Sequence, residues 1–114
     1  MKTIKLNRDF RRCYSKGAFL SHGALVTYAR KNRGKETRIG ITTSKKIGNA
    51  VQRNRARRII RAACREVGAE FPRGYDLVFV ARHKTIFLKS TDLVPVIRQH
   101  LAKLTTAGPR AGKG

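Results

Sequence analysis

The sequence predicts an α+β sandwich, a small mixed sheet with helices packed on it, in the order α-β-β-β-α-β-α. Three observations carry that prediction. Segments whose apolar residues recur at helical spacing are interleaved with segments that alternate at strand spacing. One dense apolar run, Tyr75 to Arg82, has the length and composition of a central strand. The stretch Ser44 to Arg58 reads as a strand end, a tight turn and the start of a helix. A strand over Thr37 to Ser44, that helix and the Tyr75 strand then form a βαβ unit, provided the two strands pair in parallel.

The elements follow in order. Asn7 is placed to cap a first helix, Arg8 to Lys16, and Gly17 suits the left-handed position after its end. Phe10, Cys13 and Tyr14 share one face of that helix. A short strand is expected at Phe19-Leu20, and a longer one over Ala24 to Ala29. Lys31 to Lys35 is a polar turn. Thr37 to Ser44 sets Ile39, Ile41 and Thr43 on one side, the period of a half-buried strand. The last two strands read as an antiparallel hairpin.

The second helix is expected from Asn49 to Ala69, with Gly48 breaking the strand and Asn49 as N-cap. Pro72 and Gly74 close this region. Ser90, Thr91 or Asp92 can cap a last helix that runs to Leu104 and is lined by Val94, Ile97, Leu101 and Leu104. Pro95 is expected in its first turn, where backbone donors lack intrahelical partners. Residues 1–104 thus form one domain, and Thr105 to Gly114, small, polar and Gly-rich, reads as a disordered tail.

Composition narrows the function. The 114 residues carry 27 Lys and Arg against 6 Asp and Glu, a formal charge of 27 − 6 = +21. Such a chain repels itself and seeks polyanions, either nucleic acid or an anionic membrane surface. No apolar run approaches the ~20 residues of a membrane-spanning helix. The charged start, Met1 to Arg12, lacks the apolar stretch of a secretory signal, and a folded pattern begins almost at once. The two cysteines, Cys13 and Cys64, form no CxxC pair, and His22, His83 and His100 are scattered, so a structural zinc site is not expected. Two small buried thiols in a reducing cytosol are the simpler reading.

The second helix carries the strongest signal. At 100° per residue, Arg53, Arg57, Arg61 and Arg65 form one stripe, with Arg58 beside it. Ala56, Ile59, Ile60, Ala63 and Val67 collect on the opposite side. Like charges at i, i+4 destabilise a free helix, so the stripe asks for a polyanion to neutralise it. Arginine forks match phosphate oxygens bidentately and stack on bases. Asn54, among the arginines, can reach a base edge or a ribose hydroxyl. Phe10, Tyr14 and Tyr28, near Arg11, Arg12, Lys16 and Arg30, can stack unpaired bases, although from their spacing alone core packing is the better reading. Lys45 and Lys46 are expected to end the strand just before the second helix, where with its N-terminus they suit a phosphate or equally form an exposed basic turn. Neither the histidines nor the six acids group as catalytic or metal-binding side chains do.

Ser44-Lys45-Lys46-Ile47-Gly48-Asn49-Ala50-Val51-Gln52-Arg53-Asn54-Arg55, continued by Arg57-Arg58 and Arg61, resembles the signature of the bacterial ribonuclease P protein subunit. Asp9-Phe10, Arg38 to Ile41 and Tyr75 to Arg82 agree with it, so the resemblance spans about residues 5 to 104. It implies a ribonucleoprotein endonuclease of the cytoplasm that removes the 5′ leader of precursor tRNA, its chemistry carried by a large RNA with bound Mg²⁺. It implies RNA contacts at Arg53, Asn54, Arg55, Arg57, Arg58 and Arg61, to which the stripe adds Arg65. The leader cleft falls on Phe10, Tyr14 and Tyr28, with Lys45 and Lys46 along the same region. The protein would pair 1:1 with its RNA, leaving a dimer of holoenzymes open, and would raise affinity for substrate and Mg²⁺. A left-handed βαβ crossover is also implied, against the general rule. Ala62 and Cys64 depart from the pattern, which more often has an acidic or amide residue and a larger apolar one. A ribosomal protein or general RNA chaperone fits the basicity but not the strand–turn–helix motif. A membrane-surface protein fits less well, because the helix offers no Trp or Phe to insert.

Overall fold

The computed structural model describes residues 2–105. The expected tail therefore lies outside the described residues, except Thr105, which ends the last helix. Five strands form one mixed sheet: β1 (Lys2–Thr3), β2 (Ala18–His22), β3 (Leu25–Lys31), β4 (Arg38–Thr42) and β5 (Tyr75–Ala81), in the spatial order β1-β4-β5-β3-β2. The helices are α1 (Asn7–Lys16), α2 (Ala50–Val67) and α3 (Ser90–Thr105). The expected order holds, with β1 added at the front. Two residues of strand are too short to leave a periodic trace.

The expected hairpin between the Ala24 and Thr37 strands does not exist. β5 lies between them, antiparallel to β3 and parallel to β4. The reason is in β5 itself. Leu77, Phe79 and Ala81 join the main core on one face of the sheet, and Val78 and Val80 pack on the other. A strand that is apolar on both faces needs neighbours on both edges as well, so it takes the centre. The hairpin that forms is β2–β3, where His22 opposes Leu25 across a two-residue connection. Parallel pairing of β4 with β5 makes α2 the crossover of a βαβ unit.

The two faces bury different helices. α2 and α3 cover the face of Leu25, Leu77 and Phe79, where Ala56, Ile60, Ala63, Val67, Leu93, Ile97, Leu101 and Leu104 complete the core. Full burial contributes about 1.5–3 kcal/mol for each side chain of the Ile or Leu kind. α1 covers the opposite face with Cys13 against Val78 and Ile4. Cys13 and Cys64 are both free and buried. Burial pushes their thiols up to about 11 and about 12, so neither is a reactive thiolate at neutral pH.

Local chemistry sets the helix ends, not always as expected. Asn49 caps α2 through a reciprocal box: its Oδ1 accepts from the Gln52 N–H at 2.9 Å, and the Gln52 Oε1 accepts from the Asn49 N–H at 3.0 Å. Gly48 turns the chain there at φ +141°, a conformation other residues adopt only under strain. Asn7, by contrast, is already the first residue of α1, and Leu6 holds the cap position without a side-chain bond. Gly17 is not left-handed but extended, at φ −82°. Its glycine is needed for space, because a Cβ would come 2.5 Å from the Cys13 carbonyl oxygen. Pro95 is the sixth residue of α3, one turn later than expected. It costs the Thr91 carbonyl its i+4 donor. Asp92 caps the start of α3 by accepting from the Lys89 N–H at 2.9 Å.

Candidate nucleic-acid interface

Two surfaces on opposite faces of the sheet collect side chains whose chemistry suits nucleic acid. The first is α2. Ala56, Ile60, Ala63, Cys64 and Val67 are buried, which turns Asn54, Arg55, Arg57, Arg58, Arg61 and Arg65 outward and leaves Arg53 half-buried. Ile59 is only partly buried against the core. Arg57 Nη1 reaches the Asn54 Oδ1 at 3.5 Å, so the amide stands within the guanidinium row. Arg57, Arg61 and Arg65 also wall a groove of about 430 Å³ whose apolar side is Ile4, Phe10, Ile39, Ile41 and Cys64.

Four of the six acids are paired away from this helix. Asp9 and Asp76 both bind Arg38, Glu36 pairs with Lys2, and Glu70 with Arg98. Among the described residues no ion pair involves an arginine of α2. Six guanidinium groups therefore stand along 18 residues whose one acid, Glu66, forms no ion pair with any of them.

The second surface is the sheet face under α1. Tyr14 from α1 meets Tyr28 from β3 edge to face, with centroids 4.9 Å apart. Phe19 from β2 stacks on Tyr28 at 5.4 Å with an interplanar angle of 27°. The Tyr14 hydroxyl donates to Thr42 Oγ1 at 3.4 Å. Phe10 lies deeper, over Gly40, where a Cβ would stand 2.5 Å from its ring. Phe10 and Tyr28 both lean on the Cys13–Val78 cluster. The structure thus brings Phe10, Tyr14 and Tyr28 to one face and adds Phe19, which is 58% exposed. Sequence reasoning had Phe19 on a strand but not in the site. The β2–β3 register, Phe19 opposite Tyr28, is what places it there.

Lys45 and Lys46 do not end a strand. They sit exposed on a 3₁₀ turn, Lys45–Ile47, capped by Ser44 and anchored by buried Ile47. That turn packs on α2 and leads into it, so the two ammonium groups stand at the entrance of the arginine helix.

A buried charge network holds α1 against the sheet. Arg38 binds Asp76 with two parallel bonds, Nε to Oδ1 at 2.8 Å and Nη2 to Oδ2 at 2.6 Å, and reaches Asp9 on α1 at 3.3 Å. Asn32 Nδ2 donates to Asp76 Oδ1 at 2.9 Å. Burial pushes the Asp76 carboxyl up, but the bonds from Arg38 and Asn32 and the charges of Arg38 and Arg30 outweigh it and hold the group below the usual carboxylate range. The sequence shows these four residues but not their convergence.

No group of three or more His, Cys, Asp or Glu that could hold a metal ion occurs among the described residues. None of the described helices is long and apolar enough to cross a membrane. The arrangement defines a small basic α+β domain with an arginine-rich surface on one face of its sheet and an aromatic surface on the other.

A family model, Ribonuclease P, matches residues 1–105. The ribonuclease P protein component of Clostridioides difficile is 43% identical over 82 residues, covering 71% of this chain and 72% of that one. That of Pelotomaculum thermopropionicum is 40% identical over 89 residues, covering 78% and 80%. The ribonuclease P protein of Staphylococcus aureus superposes with a TM-score of 0.78 at 31% identity, covering 91% of this chain and 97% of that one. The Thermotoga maritima protein gives 0.77 at 27%, covering 89% and 96%. The chain belongs to the ribonuclease P protein family. It is the protein component of a bacterial tRNA-processing ribonucleoprotein, and an RNA subunit is its partner.

Proposed function

We propose that the two faces divide the labour of ribonuclease P. The RNA subunit, which carries the hydrolysis, binds along α2 through Arg53, Asn54, Arg55, Arg57, Arg58, Arg61 and Arg65. The single-stranded 5′ leader of precursor tRNA lies in the cleft of Phe10, Tyr14, Tyr28 and Phe19, with Lys45 and Lys46 at the entrance of α2 drawing in phosphates. One chain serves one RNA, in the cytoplasm, and two free buried cysteines suit that reducing compartment.

The observation that carries this reading is the aromatic row Tyr14–Tyr28–Phe19 on the face opposite α2. Stacked rings bind unpaired bases without needing a sequence, at about 1–3 kcal/mol per base. A leader is single-stranded and variable, and it suits such a surface. The arginines instead suit a folded RNA, whose phosphates they take in forks.

Mg²⁺ supplies charge stabilisation at the cleaved phosphate when bound to the RNA. The described residues of this chain do not fit a metal cage. Their contribution to Mg²⁺ affinity would come from neutralising RNA phosphates and holding the substrate in register.

The test is cleavage of precursor tRNA by the cognate ribonuclease P RNA at low Mg²⁺, with and without this protein. Correct 5′ maturation only in its presence is expected. Tight RNA binding with no stimulation would move the reading to a ribosomal protein or an RNA chaperone.

A further inference from the structure

Phe87 stands 72% exposed on the 3₁₀ turn His83–Phe87, away from the aromatic cleft. We propose that Phe87, with His83 against its edge, is a stacking platform for an unpaired base of the RNA subunit. The inference rests on the reading of α2 as the face that meets that RNA.

The turn that carries the ring is anchored before any ligand arrives. Thr85, fully buried, donates through Oγ1 to the Ala24 carbonyl at 2.6 Å and accepts from the Arg82 N–H at 2.9 Å. Ile86, next to Phe87, is part of the main core. The His83 ring lies 5.4 Å from the Phe87 ring at 71°, and its Nδ1 sits 3.3 Å from the Ile47 carbonyl oxygen. His83 thus ties the platform to the turn that carries Lys45 and Lys46. A pre-positioned ring loses little entropy on binding, which is the condition for a strong aromatic anchor.

Charge and position choose the occupant. Arg82, Lys84 and Lys89 flank the platform and are exposed, and no acidic residue occurs from position 77 to position 91. Asp92, the next acid along the chain, accepts from the Lys89 N–H. A basic rim around an aromatic face fits a base with phosphates on either side. The turn packs on α2 and feeds Ile86 into the core beneath α2 and α3. It therefore continues the arginine face, while the cleft lies on the other side of the sheet. The leader is the less suitable occupant for that reason.

The experiment measures assembly of the full chain with its cognate ribonuclease P RNA for Phe87→Ala, Phe87→Leu and Phe87→Trp. Loss of one stack predicts about 5- to 150-fold weaker assembly for Phe87→Ala. Phe87→Trp should match the parent, and Phe87→Leu should fall well short of it. The slope of affinity against salt should not change, because no phosphate contact is lost. An Ala variant within twofold of the parent overturns the platform. So does a Leu variant as good as Phe, since apolar cover by any partner would then suffice. A loss seen only with leader-bearing substrate would assign the ring to the leader instead. Failure of the α2 reading shows separately, as assembly that Arg57→Ala leaves unchanged.

Discussion

At the scale of single residues, two buried polar groups both tie stability to pH, each losing it as the solution is acidified. Asp76 is 1% exposed and ionised between Arg38 and Asn32. Asp76→Asn would leave Arg38 without its bidentate partner. Breaking a buried pair costs about 3–5 kcal/mol, and the lower end applies because Arg38 is 32% exposed. Urea unfolding of the variant measures it, and a loss under about 1 kcal/mol would show that Asp9 alone satisfies Arg38. Because the folded carboxyl is held low, its stabilisation is present above the ordinary carboxylate range of about 4 and disappears as acid protonates the folded form. His100 acts in the same direction, over a higher pH window. Its Nδ1 lies 2.7 Å from Thr27 Oγ1 in the core. Burial, with the charges of His22 and Lys103, lowers it from 6.5 to about 4. Above the upper value both states are neutral. Below it the unfolded chain takes up a proton that the folded chain refuses, so stability falls with pH through this window, by about 3 kcal/mol in full. Melting temperatures at pH 7.5 and 4.5 should therefore differ less for His100→Gln than for the parent. Neither role is legible in sequence, because each depends on partners more than thirty positions away.

At the scale of elements, what was legible is what is local. The arginine stripe, its apolar back, the Asn49 cap and the Tyr75 strand all follow from residues within a turn or a strand of one another. Asn49→Ala removes a cap with both halves formed and should cost about 1 kcal/mol. Thermal unfolding reports it, and an unchanged melting temperature would mean that docking of α2, not its cap, decides that end. The strand pairing was not legible, because β3 and β4 are joined by a hairpin-like turn yet are separated by a strand that arrives over thirty residues later. The cleft inherits that limit. Phe10, Tyr14 and Tyr28 could be singled out as aromatics near basic residues, but only the β2–β3 register brings Phe19 onto Tyr28. Phe19→Ala should weaken binding of leader-bearing precursor by about 1–3 kcal/mol and leave mature tRNA unaffected. Competition binding with the two tRNAs checks this, and equal losses would remove Phe19 from the cleft.

At the scale of the whole molecule, charge couples folding to assembly. The chain folds against its own field, +21 in 114 residues, and the unpaired arginines concentrate that field on α2. An RNA that binds only the native state relieves the repulsion and adds stability by mass action, about 2.7 kcal/mol at a hundredfold excess over Kd. The same neutralisation releases counterions, so 6–10 phosphate contacts would cost about 10³–10⁵ in affinity between 50 and 200 mM salt. Composition announces this coupling but not its distribution over the surface. Replacing Arg57 by Ala should flatten the dependence of log K on log salt by about 0.7–0.9, one phosphate contact. Phe87→Ala should lower affinity at every salt concentration alike. Measuring both slopes on one RNA separates guanidinium forks from stacked rings. If Arg57→Ala instead lowers affinity without changing the slope, that arginine lies flat on a base, and the helix reads RNA through stacking as well as charge.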